Sequence, residues 1–319
     1  MAVVILGGGV SGLTTGICLV EAGIDVKILA PEVAETTLSA AAGAIWGPYL
    51  VEPQKLVDIW GAKTLEVLRE LALVAGTGVT VPSGLMVARQ DEEAPFWSTQ
   101  LDDFVACDPD GLPAGFLKGW RFSAPVVDMI SYLRYLHARF LDGGGVVEKR
   151  RVESLEEAVG GGGVDAVVNC TGVYARDLVA DALLVPIRGQ TVIVENPGIE
   201  EFFVEERGVD PRQIYWFPEG DVVVLGGSLE PHVWSLHPDL AVAERIQRDC
   251  AAIEPAFEHA RVIGHRVGLR PARSAIRLER EEVDGVPVVH NYGHGGAGVS
   301  VSWGCGEAAR DLVIESTGS

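Results

Sequence analysis

Gly7, Gly9 and Gly12 form a G-x-G-x-x-G spacing directly after the apolar run Val3-Val4-Ile5-Leu6. Leu13, Ile17 and Val20 follow at helical spacing, so the glycines sit where a buried strand would turn into a helix. The chemistry suited to such a turn is anion binding. The first glycine permits the tight turn and the second lets the backbone approach a pyrophosphate. The third lets the helix pack close to the sheet, with its N-terminal dipole facing the anion. In this strand–turn–helix context the spacing points to a dinucleotide rather than to a merely tight structural turn. A nicotinamide-type ribose ligand belongs near Ala30, where there is no carboxylate; Glu32 is the nearest acid. The spacing alone does not choose the dinucleotide.

The other residues equipped for chemistry lie far along the chain. Arg270, Arg273, Arg277 and Arg280 fall within eleven residues. A guanidinium keeps its charge and offers two parallel donors, the geometry that grips a carboxylate. Most arginines in a chain with 45 acidic and 25 basic residues make surface ion pairs instead. That is the expectation for Arg277 and Arg280, and Arg270 is left between such a pair and the cofactor side of a site. Tyr215 could add a hydroxyl donor. His294, beside glycines, is read as structural or cofactor-adjacent rather than as a general base.

These groups need a frame. Val3–Leu6, the helix from Ser11 to Gly23 and Val26–Leu29 read as a βαβ unit. Further helices are expected at Lys63–Val74, after an Asp128 cap (with Ile130, Leu133, Leu136 and Phe140 inward), at Asp239–Ile253 and at Glu307–Ile314. Asp165–Asn169, Thr191–Val194, Val222–Leu225 and Val286–His290 read as strands, with a Gly-rich turn at 293–298. The expected architecture is α/β: a Rossmann-type dinucleotide-binding domain from segments 1–48, 135–187 and 262–319. A mostly antiparallel α+β substrate domain, 49–134 and 188–261, is inserted.

Composition narrows the partners. A net charge of −20 disfavours nucleic acid and anionic lipid. No apolar run approaches the roughly 20 residues of a membrane helix. Five dispersed cysteines without CxxC pairing argue for reduced thiols and against a zinc site, and no basic region precedes the first apolar run. A cytoplasmic protein without a metal is expected.

The strings Gly268-Leu269-Arg270-Pro271-Ala272-Arg273, Ile276-Arg277-Leu278-Glu279-Arg280-Glu281 and His290-Asn291-Tyr292-Gly293-His294-Gly295-Gly296-Ala297-Gly298 resemble the carboxyl-terminal signature of the D-amino-acid oxidase family. Asn169–Gly172, Arg188-Gly189-Gln190, Trp46–Tyr49 and Trp303-Gly304-Cys305 match it too. The resemblance spans the chain and implies an FAD-dependent flavoprotein that oxidises neutral D-amino acids by hydride transfer, with oxygen reduced to hydrogen peroxide. It implies that Arg273 pairs with the substrate carboxylate, that Tyr215 joins it, and that the Gly296 carbonyl accepts from the amine. It assigns FAD contacts to Gly7, Gly9, Val10, Ser11, Gly12, Gly43, Ala44, Ile45, Trp46, Arg188, Arg270, Gly295, Gly298, Val299 and Ser300. Family members are commonly homodimers.

The chain departs from that pattern in three places. Pro211 stands where some members carry a second tyrosine on a lid, so lid gating is not expected. Gly47 replaces a glutamine, which suggests a wider pocket. Leu229 replaces an arginine that binds an acidic side chain, which favours neutral substrates over the sister D-aspartate oxidase unless Arg212 substitutes. The same residues leave room for a catalytically silent flavin-binding protein and for a glycine- or sarcosine-type amine oxidase.

Overall fold

The computed structural model describes residues 1–49, 51–206 and 212–318. Pro211, and with it the expectation about a lid, lies outside the described residues. β1 (Ala2–Gly8) is buried on both faces because its apolar run leaves no polar side to show water. The turn at Gly9 leads into α1 (Val10–Glu21), and β2 (Asp25–Val33) returns parallel to β1. On the other side of β1 lie Ala166–Asn169 and then Val286–Tyr292, both parallel, with Arg277–Val283 as an antiparallel edge. Val146–Lys149 closes the far edge beside β2. The order branches at β1: the chain first runs outward to β2 on one side and only later returns to Ala166–Asn169 on the other. In open α/β sheets that is where ligands bind, outside the carboxyl ends of the strands.

Helices cover this sheet. Leu13 and Ile17 of α1 are fully buried. Gly16 lets Met129–Asp142 pack close, since a Cβ there would stand 2.8 Å from the Phe140 ring. Asp128 caps that helix by accepting from the Ile130 N–H. The last helix, Ser302–Thr317, starts five residues before the expected Glu307. Its Gly304 and Gly306 are poor helix formers, but a Cβ on Gly304 would be 2.3 Å from the Trp60 backbone. Close packing overrides propensity there. Its partner, expected from Lys63, runs Gln54–Leu71.

The second sheet is built around the strand Val185–Glu195, which pairs antiparallel with Val222–Ser228 and with Val262–Ala272. Arg212–Glu219, Phe202–Glu205, Ser83–Ala88 and Lys118–Ser123 extend it. Two expected boundaries are therefore corrected. Position 262 opens a strand of this second sheet, and the chain rejoins the first only at Arg277. Position 135 falls inside the Met129–Asp142 helix, which packs as one piece.

Candidate active site

A cavity of about 720 Å³ runs between the two sheets, lined at one end by Gly7–Ser11 and at the other by Tyr215, Arg270 and Gly296. At the first end, Gly7 has φ +105° and a Cβ there would lie 2.5 Å from the Cys170 carbonyl oxygen. A Cβ on Gly9 would lie 2.8 Å from Ser39 Oγ, and one on Gly12 only 1.9 Å from the Gly7 carbonyl oxygen. Gly12 is thus behind the cavity wall and acts by letting α1 sit against the turn. The N-terminus of α1 has no side-chain cap from Gly9; the Val10 N–H donates to Ser39 Oγ at 3.1 Å. The remaining first-turn N–H groups and the helix dipole suit a pyrophosphate. Glu32, exposed at the end of β2, borders the same cavity.

At the other end the wall is made by two paired strands. Ile187, Gly189 and Thr191 alternate into the cavity from one, and the stretch 268–272 of its neighbour, with Arg270 at its middle, lines it throughout. Gly189 leaves the space that the Arg270 guanidinium fills, since a Cβ there would lie 2.3 Å from Nη1. That nitrogen donates to the Ser228 carbonyl at 3.1 Å. The Arg270 guanidinium lines the same end of the cavity as the Tyr215 ring. The Tyr215 ring lies flat over its cross-strand partner Gly226, where a Cβ would come within 1.8 Å, and stacks on Phe217 at 4.9 Å. Burial raises the Tyr215 phenol and Arg270 pulls it back in part. Tyr49 is also raised, by burial and then by the Glu206 carboxylate, so both hydroxyls are protonated donors at neutral pH. Gly296 completes the cluster, with Arg270 Cδ and Tyr49 Cδ1 each 3.8 Å from its Cβ position.

Several expected contacts are corrected. Arg273 does not line the cavity: its Nε pairs with Asp181 at 2.9 Å and Nη1 donates to the Ala275 carbonyl at 2.8 Å. It lies just past the end of the strand that carries Arg270. Arg188 is 1% exposed on the outer face of its strand, bound to Glu230, Gln190 and the Ser235 and His237 carbonyls. Trp46 is 3% exposed and donates from its indole to the Gly61 carbonyl, behind the wall made by Gly43, Ala44 and Ile45. Arg212 turns to Asp249, 3.1 Å from both carboxylate oxygens. Gly47 does not widen the pocket, because the Trp97 ring occupies the space. Sequence reasoning does not find Tyr49 and Trp97 as wall residues: an isolated aromatic in a loop gives no periodic signal.

Gly295, Gly298, Val299 and Ser300 line the cavity, and Ser300 Oγ accepts from the Gly47 N–H at 3.0 Å. His294 is 3% exposed and its Nε2 lies 3.0 Å from Asn291 Oδ1, whose amide donates to Thr15 Oγ1. The Nε2 therefore carries the proton. Burial lowers its pKa from 6.5 to about 4. The unfolded chain takes up this proton first as pH falls, so the stabilising contribution is complete above 6.5 and lost on descending through 4. At about 1.4 kcal/mol per pH unit that is roughly 3 kcal/mol. The unfolding midpoint should fall less between pH 7 and pH 4 in His294→Asn than in the parent. Equal slopes would show that folding leaves the His294 pKa unshifted.

This geometry agrees with the comparisons. A family model described as FAD dependent oxidoreductase matches residues 2–312, and the chain belongs to that family. It is 47% identical over 313 residues to a D-amino-acid oxidase of Rubrobacter xylanophilus, covering 97% of this chain and 95% of that one. It is 44% identical to one of Streptomyces coelicolor, covering 98% and 96%. A crystal structure of glycine oxidase from Geobacillus kaustophilus superposes with a TM-score of 0.82 over 98% of this chain and 94% of that one; at 21% identity this speaks to fold alone. The protein is thus an FAD-dependent oxidoreductase. The first turn of α1 and the side-chain-free glycine turn that lines the cavity beside it fit the pyrophosphate of FAD. No helix among the described residues is long and apolar enough to cross a membrane.

Proposed function

We propose that the chain oxidatively deaminates neutral D-amino acids to 2-oxo acids and ammonia, with formation of hydrogen peroxide. The observation that carries this reading is that Arg270, Tyr215 and Gly296 wall the same cavity as the phosphate turn. Arg270 takes the substrate carboxylate with two N–H donors, and the Tyr215 hydroxyl adds a third. The Gly296 carbonyl accepts from the neutral amine. With both groups held, the Cα–H of the D-enantiomer faces the ring site, whereas the L-enantiomer directs its side chain there. FAD, when bound, supplies the two-electron acceptor that dioxygen re-oxidises. The protein's own task is orientation.

In this reading Gly7, Gly9, Val10 and Ser11 hold the pyrophosphate, Glu32 the ribose, and Gly295, Gly298, Val299 and Ser300 the ring edge. Gly12, Trp46 and Arg188 support the site from behind. The side-chain end is lined by Met86, Val204 and Leu229, with Glu205 and Glu206 as its acidic residues. Glu205 is paired with Arg89 at 2.7 Å. A substrate carboxylate would meet Leu229 and two acids there, which disfavours D-aspartate. All five cysteines are free, which supports a reducing, cytoplasmic setting; a homodimer rests on the family resemblance alone.

The test is a peroxide-coupled screen over both enantiomers of the common amino acids. Turnover of D-alanine and D-valine well above D-aspartate and every L-form is expected. Yellow protein that no D-amino acid bleaches would overturn the reading.

A further inference from the structure

The part of the cavity next to Gly47, which the oxidase reading leaves to the substrate's side chain, is closed by a residue from outside both sheets. Trp97 lies in the irregular segment that precedes the turn Ser98–Gln100, yet its ring lines the cavity. A Cβ on Gly47 would lie 3.0 Å from Trp97 Cη2 and Cζ2. The Gly47 N–H is bonded to Ser300 Oγ, which ties this contact to the segment carrying Gly296. The indole has little freedom to withdraw. It packs edge-on against Trp46 (5.8 Å, 87°) and against Phe122 (5.7 Å, 86°). Both of those rings are buried in the main core. An aromatic wedged between two others behaves as a wall, because displacing it would open a void in a close-packed interior.

We propose that Trp97 is the specificity-determining wall of the side-chain subsite, limiting the substrate to aliphatic D-amino acids and excluding two-ring side chains. The proposal rests on the oxidase reading above and deepens it. The missing side chain at Gly47 does not enlarge the site; it makes room for this ring. The neighbouring wall residues Met86, Val204 and Leu229 are apolar and the acids Glu205 and Glu206 would repel a carboxylate, so the space that Trp97 leaves suits a neutral aliphatic side chain.

The quantity to measure is the ratio of kcat/KM for D-tryptophan to that for D-alanine, in FAD-loaded parent, Trp97→Ala and Trp97→Phe. Hydrophobic pockets discriminate by about 10–200-fold per methylene-sized misfit. Trp97→Ala should therefore raise the ratio at least tenfold, with Trp97→Phe in between. Trp97→Phe keeps a ring between Trp46 and Phe122, so it remains informative if the alanine variant does not fold. A second arm works in the opposite sense. Gly47→Ala should push the indole into the cavity and lower kcat/KM for D-leucine relative to D-alanine. Ratios unchanged in folded, flavin-loaded variants would overturn the assignment of Trp97 while leaving the oxidase reading intact. Parent enzyme that turns over no D-amino acid would fail the oxidase reading itself.

Discussion

Arg270→Leu should cost about 10²–10⁴-fold in kcat/KM for D-alanine, chiefly through KM, while Arg273→Leu leaves that ratio within about threefold. The magnitude is that of removing one partner of a desolvated charged pair, roughly 3–5 kcal/mol. The two arginines are three residues apart and carry the same charge, so the contrast isolates position. Arg270 faces the cavity over Gly189 and shares that wall with Tyr215. Arg273 is occupied with Asp181, which also accepts from the Tyr292 hydroxyl at 2.8 Å. Removing Arg273 leaves a mostly buried carboxylate with one donor fewer, so its effect should appear as lost stability of a few kcal/mol. Arg270→Lys keeps the charge but loses the fork, and should fall between parent and leucine variant. Flavin content, read from visible absorbance, separates a substrate defect from a cofactor defect. A raised KM in Arg273→Leu with an unchanged one in Arg270→Leu would return the carboxylate clamp to Arg273.

That reversal shows what the chain discloses and what it withholds. The βαβ start was legible because its pattern is local: apolar run, glycine spacing, helical periodicity. The Asp128 cap and the turn at 293–298 were legible for the same reason. Residue type marked Arg273 and Arg270 equally, and what tells them apart is where the strand stops: Arg270 lies within it and Arg273 just past its end, beside Asp181. Pro271 argues against a strand interior, so that end was not legible. Arg188 is a matter of phase, one residue out of step with Ile187 and Gly189. Tyr215 survived because Gln213, Tyr215 and Phe217 all face the cavity, while Trp216 stacks on Phe203 in the other core. The filling of the Gly47 space by Trp97 joins positions fifty residues apart with no pairing pattern between them. Such contacts are set by packing alone.

The phosphate turn yields the other large effect. Gly12→Ala should abolish stoichiometric FAD binding, raising the apparent Kd more than ~100-fold, although alanine is the better helix former by about 1 kcal/mol. The added Cβ would stand 1.9 Å from the Gly7 carbonyl oxygen, and both neighbours are backbone of the same turn. No side chain can move aside, so either α1 shifts outward or the turn opens. Either movement displaces the N–H groups that face the anion. Overpacking of this kind also lowers stability by about 1–3 kcal/mol. Two further glycines calibrate the result. At Gly9 the obstruction is Ser39 Oγ at 2.8 Å, a rotatable group, so Gly9→Ala should weaken FAD binding less severely. At Gly23 nothing lies within 4 Å and only the positive φ of +79° is strained, so Gly23→Ala should lower the unfolding midpoint yet bind FAD normally. Flavin titration with thermal unfolding of all three variants reads both quantities. If Gly12→Ala bound FAD as Gly23→Ala does, close approach of α1 to the turn would not be what holds the pyrophosphate.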